Sequence, residues 1–496
     1  MDAQTIAGGV LILVAVTACW RTTCTYLAAR WLSVPPPVPQ EEGLPPFVVL
    51  LPVLREQALV AETLAHFTSL DYPRDRYRTV VVTSERERTE QEEFGRSLAS
   101  YEDLLWNADP HGAHSRLLTG HLPGPVVADL LSNRAQLSRV EFGDAVTTAH
   151  ANTRTTGQLV DEVADREPLV RQIEAPSDWA LKAGQLRYAI ANLDDALSDW
   201  PLLADCRYVA VYDFDARPAV NALRAAAHAA SGGAAILQQP GFTVPRIPAA
   251  ATALSQLFPL FDGQMHARWG LRAELANALF DHRLDRLPRP LRALLRSSIH
   301  SVGNGLFLDR HQLPALGGIP PVVDDLALGW RAAATGLTVA PVRSPVFYDA
   351  YPSLRQAARS RAFICAGYLQ ATRDTRAAPH RVPGVLPLHM VRIQSRLLQL
   401  TYGPYARLAL LGLTAVVLPS WTVVVAALTY ALYLTDLRVV HALWRRWQPV
   451  SRPATTWLLA LLLGPVALCW YGAGARAALL RHLRGKADTH HGKTER

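Results

Sequence analysis

The chain has 496 residues, 50% of them apolar and 19% charged, with a formal net charge of +8. This length exceeds one ordinary domain, and a mean hydropathy near zero is high for a soluble protein but low for a bundle of membrane spans, so the composition fits a soluble domain joined to a few spans. The basic balance is not read as nucleic-acid binding, because no basic and aromatic module accompanies it and arginines flank the apolar segments, as expected on a cytoplasmic leaflet.

The first predicted element is an apolar run from Ile6 to Trp20, followed by Arg21 and by a second apolar stretch carrying Arg30. A cleaved signal would place basic residues before its apolar core, whereas here Asp2 precedes and arginines follow, so residues 1–34 read as an uncleaved anchor with its C-terminal end in the cytoplasm. The Pro35-Pro36-Pro37 run and Glu41-Glu42 make residues 35–45 a stiff polar linker.

Residues 46–350 alternate short apolar runs with helical stretches. Phe47–Leu51, Thr79–Thr83 and Tyr208–Tyr212 read as buried strands, with helices over Ala58–Ser69 and Ala180–Asn192, which predicts an α/β domain with a mixed, mainly parallel sheet. Residues 100 to about 176 interrupt the pattern with a polar stretch of weak periodicity holding His111, His114, His121 and His150. His111 and His114 could share an ion, but without a spaced third ligand the stretch reads as a surface insertion or lid with solvated histidines. Five scattered cysteines support neither a disulfide framework nor a zinc site.

Residues 351–402 read as amphipathic interface helices and residues 403–475 as a membrane region. Ala406–Leu434 is long enough for one tilted span or two short segments, since a bilayer core needs about 20 residues, and Thr455–Tyr471 is a further apolar run. Residues 476–496 form a basic tail, placed in the cytoplasm because it holds the denser positive group.

The chemistry-bearing residues sit at the ends of these elements. Asp213 and Asp215, two apart after an apolar strand, would project to the same side and converge on a divalent metal and a diphosphate, or else form an acidic turn. Asp324-Asp325 follows a Gly-Gly-Ile-Pro-Pro loop and precedes a helix over Leu326–Thr335, so the pair supplies either a general base or a helix cap.

Taken in order, Pro52-Val53-Leu54-Arg55-Glu56, Leu70-Asp71-Tyr72-Pro73, Lys182-Ala183-Gly184-Gln185-Leu186, Asp213-Phe214-Asp215, Gly303-Asn304-Gly305, Gly317-Gly318, Asp324-Asp325, and Gln356 with Arg359 resemble a processive-type family 2 glycosyltransferase. That group includes cellulose, chitin and hyaluronan synthases and ceramide glucosyltransferase. The resemblance implies a membrane-bound enzyme with a GT-A type catalytic domain facing the cytoplasm. It further implies inverting transfer of a sugar from a nucleotide sugar, UDP-linked, to a growing polysaccharide or to a membrane lipid, with Mn2+ or Mg2+ as cofactor and with an accessory protein or a second copy as partner.

By the same resemblance, Pro52 and Glu56 lie under the base and ribose, and Lys182 approaches the diphosphate or the uridine side. Asp213 and Asp215 hold the metal, Asp325 is the base beside Asp324, and Gly303, Asn304 and Gly305 belong to the acceptor region. Gln356 and Arg359 serve the diphosphate, with Arg361 as a neighbouring alternative. Glu56 also fits as a helix first-turn carboxylate and Lys182 as a solvated helix lysine. Three positions depart from the family pattern: Ser360 stands where its QxxRW motif has tryptophan, Ser84-Glu85 where many relatives place an aspartate, and Arg187 where asparagine is common. The loss of the tryptophan weakens the polymer reading, since an aromatic ring there would stack on an acceptor sugar. Two other classes compete: a catalytically silent nucleotide-sugar binder and a transporter, the latter disfavoured because interrupted spans do not repeat.

Overall fold

In a computed structural model, residues 2–37, 41–107, 118, 121–179, 181–244, 253–296, 303–320, 324–351, 353–376, 378–447, 472–477, 479–481 and 484 are described. His111, His114, the run 455–471 and most of the basic tail lie outside them.

The main domain is built on seven strands. β1 (Phe47–Pro52), β2 (Tyr77–Ser84), β3 (Val170–Ala175), β4 (Tyr208–Val211), β6 (Ile236–Gln238), β8 (Leu306–Asp309) and β9 (Val339–Pro341) order as β3-β2-β1-β4-β8-β6-β9. β1, β2, β3 and β4 run parallel, and β8 is antiparallel to both β4 and β6, so the sheet is mixed and mainly parallel, as the sequence predicts. A smaller sheet orders as β5 (Arg217–Pro218), β10 (Val346–Asp349) and β7 (Gly241–Val244).

β1 shows why its sequence is a continuous apolar run. Phe47, Val49 and Leu51 enter one core cluster with Tyr77, Val81 and Tyr208, while Val48 and Leu50 enter another with Val80, Val82 and Val209. Both faces of a central strand are covered, so alternation of side chains leaves no polar position. Burying each such side chain contributes roughly 1.5–3 kcal/mol.

Helices cover both faces. α1 (Ala3–Ser33) lies outside the sheet; α2 (Val60–Thr68) packs by Leu64 and Phe67 against the first cluster; α3 (Glu85–Trp106) follows β2. The stretch read as a polar surface insertion or lid is helical, with α4 (Gly124–Asn133), α5 (Arg139–Asn152) and α6 (Thr156–Ala164), the last two opened by capping boxes at Ser138 and Thr155. It also ends in β3, the edge strand of the main sheet. These helices pack round a small core of Phe94, Leu122, Val127, Leu130, Phe142 and Val146, and an edge strand needs fewer apolar positions than a central one. His121 is half-buried: it stacks on Phe94 at 4.2 Å, and burial pushes its imidazole down to about 4.

Beyond the sheet come α7 (Lys182–Ala191), α8 (Ala222–Ala230), α9 (Ala253–Trp269), a π-helical segment (Gly270–Leu275), α10 (Ala276–Arg283), α11 (Arg289–Leu295) and α12 (Asp324–Thr335). α13 (Leu354–Arg376) and α14 (Leu386–Thr401) precede α15 (Gly403–Val417) and α16 (Pro419–Trp447). The run from Ala406 to Leu434 is thus two helices broken at Leu418. Among the described residues, two helices are long and apolar enough to cross a membrane, α1 and Pro419–Arg446, or three if the bent pair Leu386–Thr401 and Tyr405–Val417 counts as one span. Ile12, Leu13, Val16 and Trp20 on α1 and Val423 and Val424 on α16 are exposed, which suits lipid and not water. At their other ends these helices join the domain: Ala28, Ala29 and Leu32 of α1 and Val440, Leu443 and Trp444 of α16 share a core with Phe242, Leu271, Leu275 and Phe347.

Candidate active site

The C-terminal ends of β1, β2 and β4 open on one side of the sheet, where ligands of open α/β sheets bind. Past β4 the alternation of burial continues: Tyr212 and Phe214 enter the core, while Asp213 and Asp215 are half-buried. Asp213 is gripped at three points. Its backbone N–H donates to Asn304 Oδ1 at 2.7 Å, Asn304 Nδ2 donates to its Oδ2 at 3.1 Å, and Lys182 Nζ donates to its Oδ1 at 2.7 Å. Lys182, the first residue of α7, is therefore paired and not a solvated helix lysine.

The same ammonium donates to Gly303 O at 3.0 Å, and Gly303 N–H donates to Asp325 Oδ2 at 2.9 Å. Asp325 sits in the first turn of α12, where its Oδ1 accepts from Leu326 N–H at 2.6 Å. Helix-start amides favour the ionised carboxylate. One hydrogen-bonded chain thus runs from Asp213 through Lys182 and Gly303 to Asp325, although these residues span more than a hundred positions in sequence. Glycine leaves the room at its centre: a Cβ at Gly303 would lie 2.8 Å from Lys182 Nζ and 3.1 Å from Asp325 Oδ2, so the lysine end would have to shift. Asp324 opens α12.

The loop after β1 carries the other predicted donor-side residues. Pro52 pairs in register with Val82, and Val53 O accepts from Gln185 Nε2 at 2.8 Å, which ties α7 to the strand end. Arg55 has a positive φ of 59°, the left-handed region that a side chain adopts only when held there. Glu87 does the holding. Its carboxylate accepts from Arg55 N–H at 3.1 Å, Gln57 Nε2 at 2.9 Å, and Thr156 N–H and Oγ1 at 2.8 and 3.0 Å, while Glu56 N–H donates to Thr156 Oγ1 at 3.1 Å. The sequence reading missed Glu87. Its signal was faint, a single acid in an acid-rich helix just past the β2 end.

Arg187, at the position where asparagine is common, stacks its guanidinium 5.0 Å over the Trp179 ring. On α13, Gln356 is bonded to Ser353 at the helix start, and Arg359 is exposed. Arg361 turns inward, 2.9 Å from His266 Nε2. Ser360 meets the Tyr351 hydroxyl at 2.5 Å. Glu274, in the π segment, is a second residue that the sequence reading missed. The residue is half-buried, and desolvation with the nearby Asp325 charge pushes its carboxyl up to about 8.

The donor set at the β4 end suits a hard divalent cation: two carboxylates two residues apart, one already drawing a cationic ammonium. Among the described residues, no group of three or more His, Cys, Asp or Glu side chains converges, so an ion there would take its remaining ligands from substrate phosphates and water.

No family model and no curated protein matches the chain. Solved structures similar to it include the mannosyltransferase PcManGT from Pyrobaculum calidifontis in complex with GDP-Man and Mn2+, at 18% identity over 96% of this chain and 99% of that one, with a TM-score of 0.44. TarS residues 1–349 from S. aureus is similar at 11% identity over 81% of this chain and 92% of that one, with a TM-score of 0.37. The same TarS fragment in complex with UDP-GlcNAc gives 11% identity, 89% and 92% coverage, and a TM-score of 0.32.

Proposed function

We propose that the protein is an inverting, metal-dependent glycosyltransferase of the processive-type family 2 class, with a GT-A type domain at the cytoplasmic membrane face. The observation that carries this reading is the hydrogen-bonded chain from Asp213 through Lys182 and Gly303 to Asp325. It fixes a diphosphate-side acid and a base-side acid relative to each other, which is what a displacement needs.

Asp213 and Asp215 would hold Mn2+ or Mg2+, which when bound offsets the charge of the departing nucleoside diphosphate. Lys182 exchanges Asp213 for the donor's phosphate oxygens, and the 52–57 loop, braced by Glu87, seats the nucleotide. Asp325 accepts the proton of the acceptor hydroxyl. The acceptor oxygen bonds to the anomeric carbon as the bond to the phosphate oxygen breaks, and attack opposite the leaving group inverts configuration. Gln356 lies at the start of α13, and Arg361 supplies the inward-facing cation that the sequence reading gave first to Arg359.

Two acceptor classes compete, a growing polysaccharide and a membrane lipid. Ser360, which offers no aromatic ring for stacking on an acceptor sugar, favours the lipid. The test is nucleoside diphosphate release by full-length protein with Mn2+ or Mg2+ across UDP- and GDP-sugars, beside Asp325→Asn. Release from one donor that the variant lacks supports the reading; equal release by the variant overturns it.

A further inference from the structure

Asp262 and His266 stand one turn apart on α9, and neither takes part in the chemistry proposed for the site. Asp262 is fully buried. Its Oδ2 accepts from Tyr351 N–H at 3.1 Å, and its Oδ1 lies 3.3 Å from His266 Nδ1, which is also 3.1 Å from Asp262 O. On the far side of the ring, His266 Nε2 is 2.9 Å from a terminal nitrogen of Arg361.

These contacts assign the ring's hydrogens. Nδ1 faces two oxygens and donates, whereas Nε2 faces a guanidinium, which has only N–H donors, and accepts. His266 is therefore a neutral imidazole, oriented by a carboxylate through the nitrogen that does not meet the arginine. Such a ring sets the direction of a guanidinium without neutralising it. A carboxylate in its place would do both, and the Asp262 charge is kept one ring away, occupied by Tyr351 N–H and His266.

Bonds and packing tie Arg361 to both acids of the site. Asp215 is two residues before Arg217, which pairs with Asp349. Tyr351, two residues beyond Asp349, carries the N–H held by Asp262 and the hydroxyl that meets Ser360 at 2.5 Å. On α13 itself, Ala357, Arg361, Cys365 and Tyr368 fall at helical spacing on one face. Ala357 packs with Leu260, Phe261 and Met265 of α9, while Cys365 and Tyr368 pack with Leu326, the residue after Asp325. Arg361, one turn from Ala357 and one from Cys365, is thus placed between α9 and the start of α12. Exposed Arg359 lies off this stripe.

Resting on the glycosyltransferase reading, we propose that Asp262 and His266 are positioning residues for donor binding: the pair aims the Arg361 guanidinium at the diphosphate of the nucleotide sugar, whose oxygens match its planar fork. Neither residue touches the donor, and both act through Arg361. Their loss therefore weakens nucleoside diphosphate binding only as long as Arg361 is present.

The test is titration of full-length protein with UDP and with GDP in the presence of Mn2+. Wild type is compared with Arg361→Ala, His266→Leu, His266→Gln and the double variant Arg361→Ala with His266→Leu, and thermal midpoints check folding. Arg361→Ala is expected to weaken binding of the nucleotide that wild type prefers by about tenfold, the scale of a lost charge-assisted hydrogen bond. His266→Leu should cost about fivefold, since the guanidinium stays but loses its direction. His266→Gln should recover most of that loss, because its amide offers an oxygen to Arg361 and an N–H to Asp262. In the double variant, affinity should stay within about twofold of Arg361→Ala alone, as for two residues acting as one unit.

If His266→Leu costs the double variant as much as it costs wild type, the histidine serves packing alone and the proposal is overturned. Unchanged affinity in His266→Leu overturns it too. Should His266→Leu not fold, His266→Asn, polar but too short to bridge Asp262 and Arg361, takes its place in the same cycle. Coupled nucleotide binding without sugar transfer from any UDP- or GDP-sugar overturns the transferase reading and leaves the positioning pair standing. Transfer that depends on Asp325 but shows no coupling between His266 and Arg361 does the reverse, and binding of neither nucleotide by wild type overturns both.

Discussion

Lys182 Nζ lies 2.7 Å from Asp213 Oδ1, and the same nitrogen bonds the carbonyl of the glycine whose N–H holds Asp325. A single ammonium therefore sets the distance between the two acids on which the proposed chemistry depends. Removing it should cost more than one ion pair. Lys182→Met is expected to lower turnover by about 10²-fold, the scale of a misplaced catalytic group, and to weaken nucleotide binding, read by NDP release and calorimetry together.

Asp325→Asn should lower turnover by about 10²–10⁴-fold, the usual contribution of a general base, while nucleotide affinity stays within a factor of two or so. The amide keeps a carbonyl oxygen for Gly303 N–H and gives up only the bond from Leu326 N–H at the helix start, so the fold should persist. Collapse of nucleotide affinity in this variant would show that Asp325 serves the donor instead.

Asp213→Asn and Asp215→Asn should each remove the Mn2+ or Mg2+ dependence of donor binding, and chelation of wild type should reproduce the effect. Titrating UDP and GDP with and without metal checks this. An unchanged metal dependence in both variants would count against the pair as ligands.

Gly303→Ala places a methyl 2.8 Å from Lys182 Nζ and 3.1 Å from Asp325 Oδ2. The flexible lysine can retreat, so stability should change little, but the chain between the acids opens. Activity should fall at least tenfold with a shift in thermal midpoint of only a few degrees.

Glu274 gives a pH signature. Its folded-state value is raised to about 8, first by desolvation and then by the Asp325 charge, so between its ordinary value of 4.5 and about 8 the native state binds more protons than the unfolded chain. Its contribution to stability is complete below that window and is lost as pH rises through it. Thermal midpoints of wild type should fall more steeply with pH across this window than those of Glu274→Gln. Parallel curves would place the carboxyl in water.

The central sheet was legible because burial on both faces forces unbroken apolar runs: Phe47–Leu51, Thr79–Thr83 and Tyr208–Tyr212 carry that signal, and each falls within or closely overlaps a strand. The edge strand Val170–Ala175 carried only a weak form of it, having polar and charged residues at half its positions, and it was hidden among helices held by local capping. The acids at strand and helix ends were also readable, since their neighbours in sequence set which way they project.

What the sequence by itself determined, then, was each residue's local element and chemical type: Asp213 after a buried strand, Asp325 at a helix start, Lys182 at another, Arg21 inside an apolar helix. Only the tertiary structure decided who meets whom. Lys182 joins Asp213 to Asp325 because α7, the Gly303 loop and α12 are brought to the C-terminal end of the central strand β4. Arg361 and not Arg359 faces inward because the packing of α13 sets its rotation. Glu87 holds the loop after β1 because two parallel strands end side by side. Periodicity and capping act over a few residues, whereas these contacts cross up to 121 positions and follow from how the buried faces fit together.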